Sequence, residues 1–363
     1  MKYPALLSAS EVLSDIETFD TVIDVRSESE FALDHIPGAI NCPVLNDEER
    51  VAVGTLYKQD SPFKAKKLGA AIVARNIAAH LETHFADHPK NWRPLVYCWR
   101  GGNRSGAMAH ILAKIGWPAV QLEGGYKAYR QHLLTQIDEM AERYRFKVVC
   151  GTTGSGKSRL LTTLASMGAQ VLDLEKLAAH RGSLLGSIPG ESQPTQKMFE
   201  SLIWDMLRQC SPERVVFVES ESKKIGNLRV PEKLMDAIRA SACIRIGIST
   251  GHRVQLLMED YPHLVTDTAQ LMSQLAHLVP LHGKEKIAGW RALAESGDIP
   301  ALVEVLLTEH YDPAYLRSID RNFKGYRNAL MVAMPDISPA AFASAAESLI
   351  AHEETQTAMQ ASP

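Results

Sequence analysis

Apolar residues fall in short unbroken runs separated by segments with helical spacing, the pattern of buried parallel strands alternating with amphipathic helices. "FDTVIDVRS" (Phe19–Ser27) and "RPLVYC" (Arg93–Cys98) read as buried strands, and "AVQLEGG" (Ala119–Gly125) as a third strand and turn. "HIPGAINCPV" (His35–Val44) is an extended segment broken at Pro37-Gly38. The chain turns helical after Pro62, with apolar positions in register through Leu81, and "SGAMAHILAKIGW" (Ser105–Trp117) is a helix ended by Gly116 and Pro118. The charged stretch Tyr126–Phe146 predicts a helix that closes this series and bridges to the next. A second α/β series opens with "FKVVCGTTGSGKSRLLTTLASMG" and continues through "AQVLDLEKLAAHRG", "ERVVFVESES" and "ACIRIGIST". From about His252 the pattern changes to helices with few strand signals. The pattern predicts an α/β domain over 1–135, a linker helix over 136–146 and a second α/β domain over 147–255. A helical region over 256–350 and a flexible tail over 351–363 follow.

Composition narrows the class. The 363 residues are 45% hydrophobic and 22% charged, with no apolar run long enough to span a bilayer and no apolar core of a signal peptide at the start. Five scattered cysteines without a C-x-x-C pair suggest a reducing, cytoplasmic setting rather than a disulfide scaffold or a zinc site. A net charge of −3 gives no global sign of nucleic-acid binding but leaves room for a local basic face. Lysines and arginines cluster at Lys58, Lys64, Lys66 and Lys67, over Lys127–Arg130, and over Lys223–Arg229. The aromatics Tyr57, Trp99 and Tyr126 could stack on an unpaired base.

"GTTGSGKS" (Gly151–Ser158) satisfies G-x-x-x-x-G-K-[ST] between a strand and a helix, the setting of a phosphate-binding loop. Gly151, Gly154 and Gly156 let successive N–H groups turn inward, the helix start adds positive charge, and Lys157 reaches terminal phosphates. Ser158 would ligate Mg²⁺ if the ion is used; no other metal site is expected. Such a loop recognises a di- or triphosphate, not a base. The strand "RVVFVES" ends in Glu219-Ser220 where an aspartate is usual, so a diphosphate without a nucleoside stays open beside a nucleotide. Asp173, Glu175, His180 and Arg181 follow the next strand, and Asp173, Arg181 and Glu219 are candidate pocket residues.

Cys98 ends a strand, and "CWRGGNRSG" runs from it into a helix. Backbone N–H groups, a helix N-terminus and the anion-binding candidates Arg100 and Arg104 favour a thiolate there. Cys42, Cys150, Cys210 and Cys243 lie among ordinary core or helix residues and read as inert. With "DVRSESEF" (Asp24–Phe31), "HIPGAIN" (His35–Asn41) and "LEGGY" (Leu122–Tyr126), this stretch resembles a rhodanese domain. The resemblance implies structural roles for Asp24 and Arg26 and a persulfide or perselenide on the cysteine. One extra residue lies between Cys98 and Arg104 compared with the usual sulfurtransferase loop. The resulting C-x₅-R also fits dual-specificity phosphatases, so phosphate or a phosphate bearing a larger chalcogen suits it.

A rhodanese-like parallel-sheet domain joined to a P-loop NTPase-like α/β domain with a helical C-terminal region resembles the bacterial tRNA 2-selenouridine synthase family. "GTLYKQDSPFKAKKLGA" (Gly54–Ala70), "LEGGYKAYR" (Leu122–Arg130), "DLEKLAAHRGSLLG" (Asp173–Gly186), "PTQKMFE" (Pro194–Glu200) and "VESESKKIG" (Glu219–Gly226) support the match. The resemblance implies an enzyme that converts 2-thiouridine at the tRNA wobble position to 2-selenouridine through an S-geranyl intermediate. Geranyl diphosphate and selenophosphate would be co-substrates, tRNA and a selenophosphate-supplying enzyme the partners, and Cys98 the thiolate or perselenide carrier. The alternative is a rhodanese-type sulfurtransferase fused to a nucleotide-dependent P-loop domain.

Overall fold

The computed structural model describes residues 3–183, 186–262 and 268–361. The chain forms two units: Met1–Ile137 with Thr195–Asp205, and Asp138–Pro194 with Met206–Pro363.

In the first unit β1 (Ala5–Leu7), β2 (Thr21–Asp24), β3 (Ile40–Asn41), β4 (Pro94–Tyr97) and β5 (Val120–Leu122) form one sheet ordered β1-β5-β4-β2-β3. Every neighbouring pair is parallel. All four residues of β4 are buried, as a central parallel strand requires. Val96, Ile23, Met108, Leu112 and Trp92 pack around Cys98. Arg26, 1% exposed, holds Asp24 through Nε (2.9 Å) and Nη2 (2.5 Å), and Nη2 also donates to the Asp34 carbonyl. A buried pair so fully bonded fixes the loop after β2, in keeping with a structural role.

Residues 51–59 lie in a helix, Asp47–Gln59, that the hydrophobic spacing did not reveal, because none of its residues is buried. Asn46 and Glu49 form its capping box, and it pairs with the helix Pro62–Thr83. The expected linker over 136–146 is instead the end of one helix, Gly125–Arg143, followed by the start of the next strand.

The second unit holds β6 (Phe146–Cys150), β7 (Gln170–Leu172), β8 (Val216–Glu219), a small antiparallel pair β9 (Lys224–Ile225) and β10 (Leu228–Arg229), β11 (Ala242–Gly247) and β12 (Gly325–Ala333). Its main sheet is parallel throughout, in the order β12-β11-β6-β8-β7. The region expected to be helical over 256–350 is largely so, but it also supplies the strand β12. β12 is an edge strand with no fully buried residue, and its apolar run Ala329–Ala333 stays half-buried or exposed. The tail expectation is corrected as well: the helix Pro339–Ala361 runs through 351–361, and Glu353 pairs with Lys147 of β6 at 2.8 Å. Phe342, Ala345, Ala346 and Leu349 of that helix share a core with Val149, Leu160, Leu164 and Ile244. The P-loop sheet is thus completed from the C-terminal end of the chain. The helices between β11 and β12 keep a separate core around Leu275, Leu278, Trp290 and Leu302.

Candidate functional site

Cys98 follows β4 directly, and the exposed loop from Trp99 runs into the helix Asn103–Ile115. The thiol lies on the loop's buried side, 1% exposed, so its neighbours include apolar core residues that its polar sequence context did not suggest. Ser105 Oγ donates to Cys98 Sγ at 3.3 Å, and Gln121 Nε2 donates to Ser105 Oγ at 3.1 Å and to the Gly102 carbonyl at 3.0 Å. This relay places a hydroxyl donor on the sulfur, where it stabilises negative charge. Sequence reasoning missed it, because Gln121 is nineteen residues from Gly102 and carries no motif.

The other side of the loop is clamped by the Glu123-Gly124-Gly125 turn. Tyr126 and Lys127 N–H groups donate to the Cys98 and Trp99 carbonyls at 2.7 and 3.1 Å. A Cβ on Gly125 would lie 2.2 Å from the Cys98 carbonyl oxygen, and its φ is +58°, so only glycine fits. Arg104 is engaged by Glu30 at 2.8 Å, while Arg100 is exposed. Tyr126 is 3% exposed, stacks on Trp99 at 5.2 Å and donates to Asp34 at 2.7 Å. Arg130 pairs with Glu200. Tyr126 and Arg130 are therefore parts of the scaffold, which corrects their reading as surface contacts for RNA. Asp34 also accepts from Ser201 Oγ at 2.7 Å, fixing the Thr195–Asp205 segment to this unit.

In the second unit Gly151–Ser158 links β6 to the helix Lys157–Ser166. Gly156 caps that helix at φ +80°, and a Cβ there would meet the Phe342 ring at 2.6 Å. Lys157 Nζ donates to the Gly151 carbonyl at 2.9 Å and lies 5.7 Å from the Tyr315 ring centroid. The Gly151 N–H donates to Tyr315 Oη at 2.8 Å. Arg253, 5% exposed, donates to the Thr153 carbonyl at 2.9 Å and is itself held by Asp312. Tyr315 and Arg253 thus brace the loop from the helical segment, a role that no local motif announces. Ser158 Oγ donates to Glu175 at 3.0 Å, and the Glu175 N–H donates to Glu219 Oε1 at 2.8 Å. The structure brings Asp173 and Arg181 to the wall of a cleft of 1510 Å³ together with Lys157, Ser158, Glu175 and Glu221. Glu219, 2% exposed, lies behind Glu175, with Oε2 buried and unpartnered.

Opening beside this cleft is an apolar recess lined by Leu257, Met258, Leu271, Ile299, Val303 and Leu306. Thr153, Tyr261 and Tyr311 border both spaces, and the recess holds about 60 Å³. The recess arises from helices on both sides of residues 263–267, far from the phosphate-loop motif in sequence.

Residues 144–295 match the family described as the tRNA 2-selenouridine synthase AAA domain, and residues 8–132 match the rhodanese-like domain family. A tRNA 2-selenouridine synthase of Nitrosomonas europaea is 33% identical, the alignment covering 85% of this chain and 93% of that protein. One of Sulfurovum sp. is 32% identical over 87% and 93%. The chain belongs to the tRNA 2-selenouridine synthase family. Among solved structures, a rhodanese-related protein of Thermoplasma volcanium is 21% identical, covering 36% of this chain and 93% of that one, with a TM-score of 0.24. Cys98 and the phosphate loop of this tRNA 2-selenouridine synthase family member lie in the two separately matched regions. Among the described residues no helix is long and apolar enough to cross a membrane, and no group of three or more His, Cys, Asp or Glu forms a metal site.

Three carboxyl groups at or behind the cleft are held above their ordinary range. Burial, then the charges of Asp173, Glu175 and Glu221, holds Glu219 well above the ordinary carboxylate range. Burial, then Glu175, pushes Glu221 up to about 8, with Lys157 opposing. Burial raises Asp173 as well. Protons that the folded state keeps and the unfolded state releases make stability fall as pH rises. For Glu221 the contribution is intact below its ordinary value of 4.5 and lost as pH rises through about 8. Thermal unfolding followed between pH 5 and 9 is therefore expected to lose up to about 1 kcal/mol per pH unit from this group, and Glu221→Gln to flatten the profile. Among the other cysteines, burial and then Asp24 push Cys42 up to about 12. Cys150 is raised by its hydrogen bond with Cys243 and by burial, and Cys210 by burial, whereas that same bond lowers Cys243, against its reading as inert.

Proposed function

We propose that the chain converts 2-thiouridine at the tRNA wobble position to 2-selenouridine in two steps, each served by one loop. The observation that carries this reading is the apolar recess adjoining a phosphate-binding loop. A nucleotide would need polar base contacts in that place, whereas geranyl diphosphate presents a diphosphate and an apolar chain. In the first step the uridine sulfur attacks C1 of the geranyl group. The C–S bond forms, the C–O bond breaks, and pyrophosphate departs with its charge met by Lys157 and the loop N–H groups. Ser158 and Glu175, hydrogen-bonded to each other on the cleft wall, are the residues that would hold a Mg²⁺ accompanying the diphosphate.

In the second step selenophosphate, delivered by an enzyme that makes it, is held by Arg100 and the N–H groups at the start of the helix Asn103–Ile115. Selenium in selenophosphate is already fully reduced, so storing it as a perselenide would need an oxidant. The balanced path is attack of the Cys98 thiolate on phosphorus: S–P forms and P–Se breaks. The selenide released attacks C2 of the S-geranyl uridine and expels geranylthiolate, and water then cleaves S–P to restore the cysteine. The C-x₅-R spacing suits attack at phosphorus. The chain would act in the cytoplasm, where its tRNA and selenium donor are found.

Filling the recess tests the first step. Val303→Trp is expected to lower geranyl transfer more than tenfold while leaving selenation of tRNA already S-geranylated unchanged. Unaltered geranyl transfer, with ATP competing for the loop, would contradict the assignment.

A further inference from the structure

The helical hairpin Asp47–Thr83 has an outer end in which only Ala65 is buried among the described residues. Val73, Ile77 and Leu81 of its second helix enter the core around Cys98, and Arg75 and Asn76 hold Glu49 at the start of the first. Toward the other end the two helices pack on each other, as at Gly69 against Val53. The fifteen residues from Ile77 back to Pro62 span about 22 Å at the helical rise. That outer end, Tyr57–Leu68, exposes Phe63 (70%), Tyr57 (53%) and Leu68 (42%). Four lysines stand among them against one acid, Asp60, which pairs with Lys64 at 3.0 Å. Lys58, Lys66 and Lys67 are exposed and have no carboxylate within ion-pair distance among the described residues. Lys67 Nζ lies 5.9 Å from the Phe63 ring centroid.

Exposed rings gathered at one tip and rimmed by polar residues mark an interaction surface. A protein-binding patch is usually depleted in lysine, whereas rings set among unpaired lysines suit stacked bases and a phosphate backbone. We propose that the tip of this hairpin is an RNA-binding element that grips an unpaired segment of the substrate tRNA, Tyr57 and Phe63 stacking on bases and Lys58, Lys66 and Lys67 contacting phosphates. The proposal rests on the reading of tRNA as substrate.

The test is binding of a 2-thiouridine tRNA to the full chain across a salt series. Lys58→Glu/Lys66→Glu/Lys67→Glu should weaken binding more than tenfold at about 0.15 M salt and lower the slope of log affinity against log salt by about 2–3. Tyr57→Ala/Phe63→Ala should weaken binding about tenfold with the slope unchanged. Thermal unfolding of both variants should match the parent, since the side chains are exposed. Parental affinity and slope in both variants overturn the proposal and leave the substrate reading intact. Loss of self-association or of binding to anionic vesicles, with tRNA affinity kept, overturns it in favour of a protein or membrane partner. If the parent chain neither binds nor modifies tRNA, the substrate reading fails and the proposal with it.

Discussion

Lys157→Ala is expected to reduce geranyl transfer to 2-thiouridine tRNA by about 10²–10³-fold, the usual cost of removing one preorganised charge stabiliser. The lysine stands at the head of the helix Lys157–Ser166, and its Nζ is held 2.9 Å from the Gly151 carbonyl at the mouth of the loop. Alanine leaves the loop N–H groups and the helix dipole in place but removes the only mobile cation of the motif. Pyrophosphate then leaves with part of its charge unmet. Selenation of S-geranylated tRNA should survive, because Cys98 belongs to the other unit. Product analysis by nucleoside mass spectrometry checks both halves, and intact geranylation combined with lost selenation would reverse the assignment of the two loops.

Cys98→Ser has the opposite signature. Serine keeps the size of the side chain and the neighbouring Ser105 donor, but a hydroxyl does not ionise near neutral pH and is a far weaker nucleophile. Selenium incorporation should fall by at least about 10³-fold, while S-geranylated tRNA forms at the parental rate and accumulates. Selenation that persists in this variant would show that selenide reaches the uridine without the cysteine.

Both loops were legible in the sequence because each packs its chemistry into one short strand-to-helix turn, where spacing alone reports geometry. The inner strands were legible for a related reason: Leu95-Val96-Tyr97 and Val148-Val149-Cys150 are unbroken apolar runs. β12 was not, because its apolar run Ala329–Ala333 stands on an edge strand, paired on one side, amid segments of helical spacing. The helix Asp47–Gln59 was hidden by its lack of a buried face. What long-range folding assembles was also beyond reach: Gln121 behind Ser105, Arg253 and Tyr315 behind the phosphate loop, and the recess from Leu257 to Leu306. Trp99 remains exposed beside Cys98, as its loop position suggested, whereas Tyr126 is buried beneath it because its hydroxyl is drawn to Asp34.

The central claim is that one chain alkylates the uridine sulfur and then replaces it with selenium. A time course of nucleosides from 2-thiouridine tRNA, treated with the purified chain, geranyl diphosphate and selenophosphate, tests it most directly. S-geranyl-2-thiouridine should rise first and decay into 2-selenouridine, and omission of geranyl diphosphate should stop selenium incorporation. Equal 2-selenouridine formation without geranyl diphosphate, or release of phosphate with no change in the tRNA, would contradict the account.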